Sequence, residues 1–182
     1  MKICIINFSG RRDGNCHDIA EFIEQTLTVK HEIALFEICD LNITPCGKCD
    51  YECFYKDKIC PYTDDDINRI FNALCAADLA YYILPNYINY PNAYFFMFCE
   101  RKQGFFAQKR KLAGKYLSVE KRFIVVSNTE QDNFKKILSG HVSEDISAEF
   151  LFLATRDFDK GSPRGGIMES EQAKTMVRGF LA

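Results

Sequence analysis

The sequence lacks the features that most quickly narrow a function. No apolar run is long enough to span a membrane: the greasiest stretch, Phe71 to Cys99, is interrupted by Asp78, Pro85, Asn86, Asn89, Pro91 and Asn92. No charge dominates. Lys and Arg total 23 against 25 Asp and Glu, a net charge of −2, which argues against nucleic acid as a partner. Neither the dinucleotide fingerprint G-x-G-x-x-G nor the P-loop G-x-x-x-x-G-K-S/T occurs. Histidine is scarce: His17, His31 and His141 show no metal-ligand spacing and read as solvated or capping residues. There is no internal repeat, low-complexity segment or interdomain linker. The 182 residues predict a single domain, 1–182, with a core that needs no staples. Met1-Lys2 leads straight into a strand-like run, which predicts no secretory signal and a cytoplasmic location.

Cysteine is abundant, at nine. In a chain without a signal peptide, clustered cysteines mean reduced thiols or metal ligands more often than disulfides. Cys4, Cys39, Cys75 and Cys99 lie on apolar faces and read as small core residues. Cys46, Cys49, Cys53 and Cys60 are different, with four thiols inside fifteen residues. Such a set can hold a [4Fe–4S] cluster or a tetrahedral zinc. Compact iron–sulfur spacing has two residues between the second and third cysteines, and here there are three. Free thiols are the preferred reading, with the cluster and zinc as alternatives.

Apolar runs at 3–8, 79–84, 123–127 and 150–154 are nearly continuous, as in strands of a parallel sheet covered on both faces. A mixed run at 32–38 suits an edge strand. Helical periodicity lies between them at 16–27 and 64–76. The latter opens on Thr63-Asp64-Asp65-Asp66 like a capping box. Further helices are predicted at 92–101, 131–139 and 169–180. Alternation of strand and helix predicts an α/β three-layer sandwich with a five-stranded parallel sheet. Its order would be 2-1-3-4-5, the flavodoxin-like arrangement, with a ligand near the switch between strands 1 and 3. Two long connections, 40–63 and 102–121, read as functional or disordered loops.

The first strand runs into Ser9-Gly10-Arg11-Arg12-Asp13-Gly14-Asn15-Cys16 and then a helix. A helix amino terminus offers unpaired N–H groups and a positive dipole end to an anion. Ser9 and Asn15 add side-chain donors, Arg11 and Arg12 can add charge, with Arg11 the better phosphate candidate by motif position, and Gly14 allows close backbone approach. A mononucleotide phosphate is the expected ligand.

Three segments resemble the NAD(P)H-dependent FMN reductase and iron–sulfur flavoprotein group. Residues 9–16 look like its phosphate loop G-S-P-R-x-x-G-N-T, with Phe8 for the first glycine, Gly10 for proline and Cys16 for threonine. Pro45-Cys46-Gly47-Lys48-Cys49 through Cys53 and Cys60 to Asp64-Asp65 is similar to its cysteine-bearing stretch. Leu84 to Ala93, ending in Glu100-Arg101, looks like the segment whose backbone lines the flavin ring. The resemblance implies FMN on Ser9, Arg11, Gly14, Asn15 and Cys16 and on Pro85, Asn86, Tyr87 and Ile88. Asn128 joins them from Ser127-Asn128-Thr129-Glu130, which replaces the family's glycine-rich flavin loop. Lys160 to Gly166 also spells G-S-P-R, but it lies past the last strand and reads as a flexible connection.

The resemblance implies an FMN-dependent oxidoreductase taking hydride from NADH or NADPH and passing electrons to a small-molecule acceptor. No side chain is required as an acid or base for flavin reduction. It also implies a homodimer, and aromatics in 94–106 supply apolar surface that suits one. The rival readings are an electron carrier without nicotinamide turnover and a structural metal-binding protein whose flavin site has decayed.

Overall fold

The computed structural model describes residues 1–47, 49–107, 109–129, 131–141 and 148–181. Lys48 and Glu130, both part of the motifs above, lie outside them. The five strands are β1 (Lys2–Asn7), β2 (Glu32–Glu37), β3 (Leu79–Pro85), β4 (Glu120–Val126) and β5 (Glu149–Leu153). All pair in parallel in the order β2-β1-β3-β4-β5. The predicted flavodoxin-like sheet is therefore the observed one, with β2 at an edge.

Strand alternation sorts the core into two halves. Ile3 and Ile5 of β1, with Leu79, Tyr81 and Ile83 of β3, face α1 (Asn15–Leu27) and α6 (Glu171–Phe180). Cys4, Ile6, Ala80, Tyr82 and Leu84 face the opposite layer. That layer holds α2 (Ile67–Ala76), α3 (Ala93–Phe106), α4 (Arg110–Ser118) and α5 (Asp132–Ser139). Because both faces are covered, β3 is buried from Leu79 through Leu84. This is why the strand reads as a continuous apolar run rather than an alternating one.

Several expectations fail in informative ways. The stretch 102–121 is mostly helix: α3 continues to Phe106, and α4 begins at Arg110. The apolar face of α4 is completed by other elements, Tyr116 packing on Phe71 of α2 and on Phe106 of α3. The aromatic excess in 94–106 is largely consumed the same way. Phe95, Phe98 and Phe105 are core residues, and only Tyr94 and Phe96 are markedly exposed. The acids before α2 form no capping box, since Asp66 flanks the helix without a side-chain cap. His141 is buried rather than solvated, beside Lys102, Tyr116 and Cys99. Of the four cysteines assigned to apolar faces, Cys4 is fully buried, whereas Cys39, Cys75 and Cys99 are partly exposed.

Candidate functional site

The site is built at the carboxyl ends of β1 and β3, where the strand order switches from one side of β1 to the other. Asn7 is fully buried at the end of β1. Its Oδ1 accepts from the Ser9 amide at 2.9 Å, and its Nδ2 donates to Glu37 at 2.6 Å. His17 meets the other oxygen of Glu37 at 3.0 Å. Burial raises the Glu37 carboxyl, against the bonds from His17 and Asn7 that lower it. Asn92 ties the same loop to α3. Its Nδ2 donates to the Phe8 carbonyl at 2.5 Å, while its Oδ1 caps Phe95. The loop is thus held from beneath by three elements before any ligand arrives.

Gly14 flanks α1 at φ +150°, a conformation effectively closed to residues with a Cβ. The first bond of the helix runs from the Asp18 amide to the Gly14 carbonyl at 3.1 Å. The amides of Asn15, Cys16 and His17 therefore have no intrahelical partner. Amides so placed can cradle an anion. Arg11 stands over them, its amide donating to Ser9 Oγ at 3.2 Å. Arg12 is directed away and pairs with Asp40, Nε to Oδ1 at 2.9 Å. The Cys16 thiol is pushed up to about 12 by burial. It stays protonated and offers neither charge nor a strong donor, so at this position the backbone N–H is the group that counts.

A cavity of about 450 Å³ opens from this cradle. Ser9, Arg11, Gly14, Asn15 and Cys16 line one end, and Pro85, Asn86 and Tyr87 line the other, together with Asn128. Nine of the ten candidate cofactor residues therefore meet in one space. Ile88 does not. It is 83% exposed in a tight turn in which Tyr87 and Tyr90 exchange backbone bonds, with φ +50° at Ile88 and +66° at Asn89. The turn carries its side chain away from the cavity. Asn128 reaches the cavity wall but its amide is committed elsewhere: Nδ2 donates to Thr155 Oγ1 at 2.7 Å and to Ser162 Oγ, and Oδ1 accepts from the Arg156 amide.

Val126, Ser162 and Pro163 complete the lining, and the sequence reading missed all three. The last two belong to 160–166, expected to be a flexible connection. It is instead hydrogen-bonded across the phosphate loop, with Arg11 Nη1 donating to the Pro163 carbonyl at 3.1 Å. The G-S-P-R likeness at 161–164 was the available signal. Distance along the chain concealed that it returns to the loop it resembles.

The cysteine segment brings its four thiols within electrostatic reach of one another, and their mutual repulsion adds to the burial that raises Cys46 and Cys53. Cys46 is exposed, and Cys49, Cys53 and Cys60 are partly buried free thiols. Among the described residues, no group of three or more His, Cys, Asp or Glu is placed to hold a metal ion. As placed, the set does not fit a [4Fe–4S] cluster or zinc.

The sequence matches the NADPH-dependent FMN reductase family model over residues 1–127. The chain belongs to that family. As a member it is an NAD(P)H-dependent FMN oxidoreductase, and the cradle and cavity fall within the matched residues except for Asn128, Ser162 and Pro163. No curated protein matches the sequence. Among solved structures, the Trp repressor binding protein from Bacillus subtilis is similar at 18% identity and TM-score 0.64, covering 100% of this chain and 99% of its own. The flavoenzyme NAD(P)H:(acceptor) oxidoreductase FerB from Paracoccus denitrificans is similar at 12% identity and TM-score 0.57, covering 98% and 93%. At such identities these likenesses establish the fold of the FMN reductase chain.

Proposed function

We propose that FMN occupies the 450 Å³ cavity, with its phosphate on Ser9, Arg11 and the amides of Asn15 and Cys16. Its ring would lie against Pro85, Asn86 and Tyr87. The observation that carries this reading is the convergence of an anion cradle and a backbone-lined slot in one cavity. The donor set fits a terminal phosphate: three amides without intrahelical partners, one guanidinium and one hydroxyl. When bound, the flavin supplies the redox chemistry, accepting hydride from NADH or NADPH and passing electrons to an acceptor. The chain's own residues hold, orient and shield it. Asn86 is fixed for that task by its amide on the Val126 carbonyl at 2.9 Å and its Nδ2 on Ser127 at 2.7 Å.

We infer a small molecule as the acceptor, a quinone or free flavin. The FerB neighbour is named for NAD(P)H:acceptor turnover, and the mouth of this cavity is open. A homodimer is part of the same proposal. Tyr87, Ile88, Tyr90, Tyr94 and Phe96, in the segment that continues from the Pro85–Tyr87 wall, expose apolar surface on which a second copy would pack. Cytoplasmic residence is proposed from the free cysteines. Among the described residues, no helix is long and apolar enough to cross a membrane.

Anaerobic mixing of FMN-loaded protein with NADH and with NADPH, followed by flavin absorbance, tests the reaction. Rapid bleaching, reversed by a quinone, supports the reductase. Absence of bleaching with either nucleotide over minutes would move the assignment to an electron carrier.

A further inference from the structure

Residues 160–166 form a strap whose contacts converge on the phosphate cradle. Ser162 and Pro163 present their carbonyls to the cradle's own side chains, receiving Asn15 Nδ2 at 3.3 Å and Arg11 Nη1 at 3.1 Å. The Gly166 amide donates to Asp18 at 2.7 Å, and the Ile167 amide donates to Asn15 Oδ1 at 3.0 Å. The strap also packs backbone to backbone. A Cβ on Gly165, at φ +71°, would stand 3.2 Å from Gly14 Cα. Its outer end is fastened by Ser162 Oγ, which meets Thr155 Oγ1 at 3.2 Å and accepts from Asn128. The strap itself lies outside the part of the chain that matches the family model, which ends at residue 127.

The placement has a chemical consequence. Only one of the five Arg11 N–H groups is taken by Pro163, so the guanidinium is oriented and still has donors for a phosphate. Beyond that phosphate the strap offers two carbonyl oxygens. These are acceptors, and acceptors repel rather than receive a second phosphate. Arg164 does not line this cavity; it lines the neighbouring cleft between the strap and α1. The cradle is thus closed at its phosphate end by neutral backbone that matches a terminal monophosphate and obstructs a continuing pyrophosphate.

We propose that the 160–166 strap is the specificity wall of the flavin site. It positions Arg11 and Asn15, and it selects FMN over FAD, whose pyrophosphate must continue past the phosphate position. This rests on the assignment of the cavity to FMN. Ser162 and Thr155 are positioning residues here, acting through the strap.

The test is titration of FMN, FAD and riboflavin into wild type, Ser162→Ala and Thr155→Val, read by flavin fluorescence. Each variant removes two side-chain hydrogen bonds at the fastening point from opposite sides. FMN affinity should fall about tenfold, as expected for losing such bonds. FAD affinity should hold or rise, and riboflavin affinity should not change. Hydrogen exchange of the strap peptide should slow on adding FMN and stay constant on adding riboflavin. Wild-type protein that binds FMN and FAD equally well overturns the proposal. So does a variant that folds, by its melting curve, and keeps the wild-type FMN-to-FAD ratio. If one variant fails to fold, the other variant and the wild-type exchange measurement decide. Wild-type protein that binds neither FMN nor riboflavin overturns the cavity assignment itself, a result distinct from lost discrimination.

Discussion

Arg101 on α3 and Asp65 ahead of α2 form an ion pair in which the side chains are 2% and 3% exposed. The same guanidinium donates to the carbonyls of Thr44 and Tyr62, at 2.6 and 2.7 Å. Asp65 in turn accepts from the Thr44 amide at 3.0 Å. One arginine therefore closes both ends of the cysteine segment. The segment between them bears four thiols and exposes Tyr51, Phe54, Tyr55 and Ile59. Breaking a buried pair by removing one partner leaves the other charge uncompensated, which costs about 3–5 kcal/mol.

Arg101→Met is therefore expected to lower stability by about 3–5 kcal/mol. It should also free the ends of residues 44–62, so that Cys46 and Cys60 react faster with a thiol reagent. Chemical denaturation and thiol-labelling rates check the two effects together. Lost stability without faster labelling would mean that the segment is held by something other than the clamp.

Arg11→Ala should weaken FMN binding by about 1.5–3 kcal/mol, the range for a charge-assisted hydrogen bond. Cys16→Thr should leave affinity unchanged or improve it, because the buried thiol is protonated and a hydroxyl adds a donor. Both are read from flavin titrations. Intact affinity in Arg11→Ala would remove the phosphate from this loop.

The Tyr87–Tyr90 turn places a β-branched residue at positive φ, at a cost of about 1–2 kcal/mol. Ile88→Gly should recover about 1 kcal/mol of that cost and raise the melting temperature by about 2–4 °C. A melting temperature that falls instead would show that Ile88 contributes contacts outweighing the strain.

His141 is lowered to about 3, first by burial and then by the charges of Lys102 and Lys121. The unfolded chain binds a proton near the ordinary histidine value of 6.5, so between about 6.5 and 3 it holds more protons than the folded chain. Stability should therefore fall as pH drops through that window. His141→Gln should flatten the slope, measured by denaturant unfolding at a series of pH values. An unchanged slope would show that other groups carry the acid sensitivity.

Continuous apolar runs identified four strands because the sheet is covered on both faces, and a local loop sequence marked the cradle. Those are properties of neighbouring residues. Helix α4 was harder to read because its apolar face, at Tyr116, is completed by Phe71 of α2 and Phe106 of α3.

The sequence by itself determined the sheet order, and it marked the loop after β1 and the turn after β3 that line one cavity, since each depends on a strand and the residues directly after it. It even contained both halves of the clamp, Asp64-Asp65 and Glu100-Arg101, without indicating that they pair. Tertiary structure alone decided what distant segments do. It brought Ser162 across about 150 residues to Asn15 and excluded Ile88 from the cavity. It also left the four clustered cysteines without a metal-holding arrangement among the described residues. The physical reason is common to all three. Hydrogen bonds and close packing depend on where the backbone returns in space, and spacing along the chain does not carry that information.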